Sequence, residues 1–162
     1  MTGTLYVFYT LYKNEFMMFE HADGSPVLHL TDEQSWQLLD NTKHGRIALY
    51  AGVEVDIFPV NYATKDQVLY LRTAPGSKLA DIAVGPKVAF EADGILSDQA
   101  WSVVVHGEAK ILETEADIAE ARGSGVSPWV PTTKEMWVRI TPTSVTGRHF
   151  IFGTQPEMDD QI

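Results

Sequence analysis

The chain of 162 residues contains no cysteine. Disulfide scaffolds, thiolate zinc sites, iron–sulfur clusters and cysteine nucleophiles are thereby excluded. No apolar run approaches the roughly 18 residues of a spanning helix, so no membrane partner is expected. Basic residues are scarce: 12 Lys and Arg stand against 22 Asp and Glu, a formal net charge of −10. That field repels a phosphate backbone at long range, and nucleic acid is not an expected partner. The five histidines form no i/i+4 pair, so no metal site is expected. No Gly-x-Ser-x-Gly elbow occurs, nor the Gly-x-x-x-x-Gly-Lys-Ser/Thr of a P-loop. The aromatic opening segment lacks the basic n-region and small-residue cleavage site of a secretory signal, and a cytoplasmic location is expected.

What remains is ordinary globular material, 44% hydrophobic and 21% charged, of a length that suits one domain. Residues 1–29 read as an N-terminal arm or leader, 30–150 as the domain and 151–162 as a tail. From Thr31 the spacing predicts a helix to His44, with Thr31 and Gln34 as a capping box and Gly45 as its stop. The chain then turns to β, with runs at Arg46–Ala51, Glu54–Tyr62 (broken by Pro59), Val68–Thr73, Lys87–Ala92, Trp101–Leu112 and Trp137–Val145. Lys65-Asp66 is a turn candidate, and Ser77–Val84 and Glu113–Arg122 read as short helices. The acidic stretch from Glu108 to Glu120 reads as a solvated helix face. About six strands with few helices argue a small, mainly β antiparallel barrel.

The stretch from Arg72 to Gly85 carries the most chemistry. A strand ends in Arg-Thr, a Pro-Gly turn follows, and Ser77-Lys78 opens a short helix. Free backbone N–H groups there, with a hydroxyl, an ammonium and Arg72 and Thr73, suit a dianionic phosphate. Glu91 and Asp93 share one face of a strand and read as a structural or dimer ion pair with a basic partner rather than as a general acid. His106 reads as a hydrogen-bonded barrel histidine, and Trp101 as a core residue before a stacking platform.

Five segments in order, PVNY (59–62), RTAPGSKL (72–79), VAFEAD (88–93), WSVVVHGEA (101–109) and WVRITPTSVTGR (137–148), resemble the pyridoxamine 5′-phosphate oxidase-like flavoproteins, in the branch of flavin-nucleotide-binding proteins. The resemblance implies a six-stranded antiparallel split β-barrel with flanking helices. It also implies a homodimer with two FMN molecules across its interface, and the apolar content of Trp101–Val105 suits such an interface. The phosphate clamp of the family falls on Thr73, Ser77 and Lys78, with Arg72 and Leu79 adjacent. Its strand along the isoalloxazine falls on Pro59, Val60, Asn61 and Tyr62, largely through backbone groups. A flavin-contacting glutamine falls on Ser102, beside Trp101, and a flavin-contacting tryptophan on Arg148. The Arg-x-His element with which true oxidases grip substrate has no counterpart after Arg148, so vitamin B6 oxidation is not expected. The function implied is a flavin-dependent oxidoreductase acting on a small molecule. A deazaflavin-dependent reductase and a non-catalytic flavin- or ligand-binding dimer are the competing readings.

Overall fold

The computed structural model describes residues 5–12, 15–50, 52–75, 82, 86–131, 133–134 and 136–155. The expected clamp residues Ser77, Lys78 and Leu79, and the short helix expected over Ser77–Val84 apart from Ile82, lie outside the described residues. The described elements run β1 (Leu5–Tyr12), β2 (Glu15–Ala22), β3 (Val27–Leu30), α1 (Asp32–Asn41), β4 (His44–Tyr50), β5 (Val55–Lys65), β6 (Val68–Thr73), β7 (Lys87–Ile95), β8 (Gln99–Leu112), α2 (Glu115–Arg122) and β9 (Met136–Ile151).

Strands β4 to β9 are the six runs read from the sequence, and they close a ring in the order β9-β6-β5-β4-β7-β8, with β8 returning to β9. All pairings are antiparallel. The fold is the mainly β split barrel expected, with α1 and α2 beside it. The N-terminal segment contributes to this body. β1 and β2 form a hairpin, and β3 adds to the C-terminal half of β9 with Val27 opposite Phe150. Phe19 and His21 of β2 are buried.

Helix α1 begins as expected. Thr31 Oγ1 accepts from the Gln34 N–H, and the Thr31 N–H donates to Gln34 Oε1. Its end differs from expectation, because Thr42 rather than Gly45 closes it. The Thr42 hydroxyl donates to the Leu38 carbonyl and its N–H to that of Leu39. Gly45 instead lies in β4, where a Cβ would stand 2.6 Å from the Glu91 carbonyl oxygen and collide with the Phe90 ring. Close strand-on-ring packing, not helix termination, requires that glycine. Trp36, Leu38 and Leu39 bury their side chains against the barrel core of Ile47, Val60, Tyr62, Leu71, Phe90, Val103, Val105 and Ile140. Each such aliphatic burial is worth about 1.5–3 kcal/mol.

Three further details differ from the reading of the sequence. The β5–β6 turn is Asp66-Gln67, one residue later than expected, with both φ values positive (51° and 58°), as a two-residue type I′ hairpin turn requires. Pro59 does not break β5. It lies opposite Arg46 in the part of the strand that pairs with β4 alone, where a missing N–H interrupts no second ladder. Trp101, Val103 and Val105 belong to the barrel core rather than to an exposed face, because strand alternation sends these odd-numbered residues inward. The same alternation turns His106 outward to an exposed position, so it is not an internal barrel histidine. At Gly107 the β8–β9 register shifts, and a Cβ there would meet the Thr141 carbonyl at 2.5 Å.

Helix α2 covers a second cluster of Tyr70, Leu112, Ala121 and Trp137. Much of the acidic stretch is exposed, as expected, yet two members have partners. Glu120 accepts a hydrogen bond from the Tyr70 hydroxyl at 3.2 Å, and Asp117 stands 3.6 Å from Arg139.

Candidate functional site

The barrel splits between β5 and β6. Residues Tyr62–Lys65 pair with Val68–Leu71, whereas Val55–Asn61 pair only with β4, and Arg72 and Thr73 pair only with β9. Asn61 and Arg72, next in line after the last rung, stand on either side of this fork. Asn61 donates through Nδ2 to the Lys43 carbonyl (3.3 Å) and accepts through Oδ1 from the Trp129 N–H (3.0 Å). Arg72 donates through Nη2 to the Lys134 carbonyl (2.5 Å), and its guanidinium lies 4.8 Å from the centre of the Trp137 ring. The loop between α2 and β9 is thus tied to both sides of the fork.

Arg72 also carries an unmet demand. Its Nε–H is buried and has no hydrogen-bond partner among the described residues. An unsatisfied buried donor on a charged group costs more than a neutral one, so an acceptor oxygen arriving there gains a charge-assisted bond. Thr73, the neighbouring clamp residue, is 4% exposed. This corner accordingly fits an anionic oxygen.

The remaining candidate residues divide by face. Val60, Tyr62 and Trp101 point into the core. Tyr62 Oη donates to the Leu39 carbonyl at 2.9 Å, and Trp101 fills the space opposite Gly94. Side-chain contact with a ligand is therefore closed to these three, and only their backbone groups face outward. Pro59, Asn61, Ser102 and Arg148 lie on the outer face, with Pro59 and Arg148 exposed. Ser102 is in register with Asp93 on one side and Arg148 on the other.

One chain does not bring these residues to one place. Eleven residue steps along β9 separate Trp137, opposite Arg72, from Arg148, a contour of about 36 Å at ~3.3 Å per step. Across the sheet, three strand spacings, roughly 14 Å, separate Pro59 from Val104 of β8, two residues from Ser102.

Between the two halves lies the ion pair expected for Glu91. Its partner is Arg46, whose Nη1 stands 2.9 Å from Glu91 Oε2 and 3.3 Å from Asp93 Oδ1. Partial burial pushes the Glu91 carboxyl up from its ordinary value, opposed by the hydrogen bond from Arg46. The same contacts raise the Arg46 guanidinium, so the cost of desolvation falls on the carboxylate.

A buried histidine pair was not legible from the sequence. His21 Nε2 lies 2.7 Å from His149 Nδ1. His21 Nδ1 donates to the Ser25 carbonyl (2.9 Å), and His149 Nε2 is 2.9 Å from the Gln99 side-chain amide. Phe19 stacks on His149 at 4.1 Å between ring centres. The 2.7 Å contact has room for one proton between the two nitrogens. Burial, and then the neighbouring His21, push His149 down to about 4 from an ordinary 6.5, with Asp98 opposing. No periodicity links residues 128 positions apart. A second contact outside the expected site stacks His44 on Trp129, with ring centres 5.3 Å apart and 13° between planes. The only sequence signal for it is a tryptophan between Pro128 and Pro131 in a loop.

Among the described residues no group of three or more His, Asp or Glu is arranged to hold a metal ion, and no helix is long and apolar enough to cross a membrane.

A six-stranded antiparallel barrel that forks beside an arginine with an open donor defines the class of split β-barrels. Comparison with known proteins narrows the class. The profile of the pyridoxamine 5′-phosphate oxidase family matches residues 31–149, and the chain belongs to that family. An uncharacterised protein of Mycobacterium tuberculosis is 41% identical over 91 residues, which are 56% of this chain and 83% of that protein. A solved Corynebacterium glutamicum structure, named for the same oxidase, superposes with a TM-score of 0.70 at 36% identity, covering 80% of this chain and 98% of its own. The FAD binding protein from Mycobacterium smegmatis does so with a TM-score of 0.68 at 38% identity, covering 76% and 98%.

Proposed function

We propose that this protein binds a flavin nucleotide across a homodimer interface and uses it for oxidoreduction of a small molecule other than a vitamin B6 phosphate. The observation that carries the reading is Arg72. It lies beside Thr73 at the fork, anchored on Trp137 and Lys134, with one buried N–H unfilled. A phosphate oxygen supplies the missing acceptor, and Ser77 and Lys78 follow within six residues in sequence. FMN is the smallest flavin with such a phosphate. The open edge of β5 at Pro59–Asn61 lies next to that corner and offers backbone groups to a flat ring. When bound, the flavin supplies hydride or single-electron chemistry, and the protein supplies position and electrostatics.

The dimer enters because Ser102 lies three strands across the sheet from Asn61 of its own chain, with Arg148 beyond it on β9, out of side-chain reach. In this reading a second copy, packed against the outer face of β4, β5 and β7, supplies them. Exposed Val55, Ile57 and Tyr50 on that face support the same arrangement. The M. smegmatis relative, described as an FAD binding protein, supports a flavin as the ligand class.

The case against vitamin B6 phosphates rests on His149 as well as on the missing Arg-x-His. His149 is fully buried and occupied by His21 and Gln99, so it is closed to substrate. The test is titration of the purified protein with FMN and riboflavin, followed by an assay for pyridoxal phosphate formation. Saturable binding of FMN well above riboflavin, without B6 turnover, is expected. Absence of flavin binding refutes the reading, and turnover on the order of ~10 s⁻¹ refutes the substrate exclusion.

A further inference from the structure

Strands β5, β4, β7 and β8 are neighbours in that order, and one rung crosses their outer face through Pro59, Arg46, Glu91 and Val104. Two residues further in the same direction stand Asn61 on β5 and Ser102 on β8. The ion pair at the centre of this face is incomplete. Arg46 meets Glu91 and Asp93 through the same nitrogen, Nη1, so one cation serves two carboxylates and the cluster keeps a net negative charge. All three side chains remain partly open to solvent, and the other N–H groups of Arg46 have no partner among the described residues. Ala48 and Ala89, paired beside them, are small enough to let a second sheet approach, and exposed Ile57, Val55 and Tyr50 continue the face.

A face that meets its own copy does so about a two-fold axis lying between the two sheets. An axis across the strands at this rung, or along β4 or β7 itself, sets Arg46 on Arg46 or Glu91 on Glu91. An axis along the strands, between β4 and β7, sets opposite charges together. We propose that the outer face of β4 and β7 is a self-complementary interface about that axis, in which Arg46 of each chain meets Glu91 of the partner subunit. The inference rests on the dimer of the flavin reading and goes on to name its face, its axis and the contact that fixes its register. The same axis lays β8 of one chain over β5 of the other. Ser102 then stands over the partner's Asn61. Arg148, one strand further out, stands over the open edge of the partner's β5 at the fork. Charge alone selects this axis, and it delivers the two residues that one chain cannot bring to its own flavin site.

The experiment follows dimerisation of the full-length protein by sedimentation for wild type, Arg46→Glu, Glu91→Arg and an equimolar mixture of the two variants. Each variant alone should lose roughly a hundredfold or more in dimer affinity, because both cross-chain contacts become like on like. The mixture should recover a heterodimer, since one chain then carries two acids at these positions and the other two bases. A pair confined within each chain gives no such recovery, so single variants that stay dimeric, or a mixture that stays monomeric, overturn the inference. A second measurement leaves the charges in place. The chain has no cysteine, so Asn61→Cys and Ser102→Cys can be mixed and treated with a short bis-maleimide. The mixture should cross-link well above either variant alone, because like positions are offset by a further three strand spacings, about 14 Å. Equal cross-linking of all three samples overturns the inference, as does a wild-type monomer. A wild-type dimer that passes both tests and binds no FMN upholds this interface and overturns the flavin reading instead.

Discussion

Acidification probes the buried histidine pair directly. In the folded protein His149 is held down to about 4, whereas an unfolded histidine titrates near 6.5. Between those values the unfolded chain takes up a proton that the native site refuses, so acid favours unfolding. Stability is therefore full above about pH 6.5, falls as pH drops, and has lost this contribution by about pH 4. At 1.36 kcal/mol per pKa unit the full loss is about 3 kcal/mol. That is a large share of the ~5–15 kcal/mol that stabilises an ordinary domain. The structural cause is specific. The pair has room for one proton, both rings are buried, and Phe19 closes one face of His149. Urea denaturation from pH 7.5 to pH 4 measures the effect, with His149→Gln as the comparison, since glutamine keeps polar groups and does not titrate. Wild type should lose about 3 kcal/mol more than the variant across this range. NMR titration of the His149 ring gives a second, independent readout in the native protein. Parallel stability curves, or a His149 ring that titrates near 6.5, would refute the reasoning.

Gly45→Ala places a methyl against Phe90 and the Glu91 carbonyl. It should destabilise by about 1–3 kcal/mol in denaturant melts, and a neutral result would show that β4 and β7 have slack there. Tyr62→Phe removes one buried hydrogen bond to Leu39, whose carbonyl keeps Thr42 as a partner. A cost of about 1 kcal/mol is expected, and a loss several times larger would assign Tyr62 a role beyond this bond. Lys78→Ala and Arg72→Ala should each weaken FMN by about tenfold or more while changing riboflavin little, because the charge-assisted bonds involved go to the phosphate. Equal weakening of both ligands by calorimetry would move these residues out of the clamp. Analytical ultracentrifugation should find a dimer at micromolar concentration, and a flavin-loaded monomer would exclude the shared site.

Local chemistry and hydrophobic period were sufficient for the elements. The Thr31–Gln34 capping box marked the start of α1, the alternation of apolar residues marked β4 to β9, and the acidic run marked α2. These signals are legible because each is satisfied within a few residues of itself. The end of α1 was misread because Gly45 answers to Phe90, which is 45 residues away and visible only once β4 and β7 pair. The face of Trp101–Val105 was likewise decided by closure of the ring, since an alternating run has two sides and composition does not say which is inner. At the candidate site the sequence identified residue types that suit a phosphate and a flat ring. Only the tertiary structure showed that Arg72 keeps an open donor at a fork, that Arg148 lies far from it along β9 with Ser102 beside it on β8, and that His149 is closed off by His21. Those facts depend on where strands part and which chain ends meet. Such long-range contacts arise from packing the whole barrel, and no short stretch of sequence carries them.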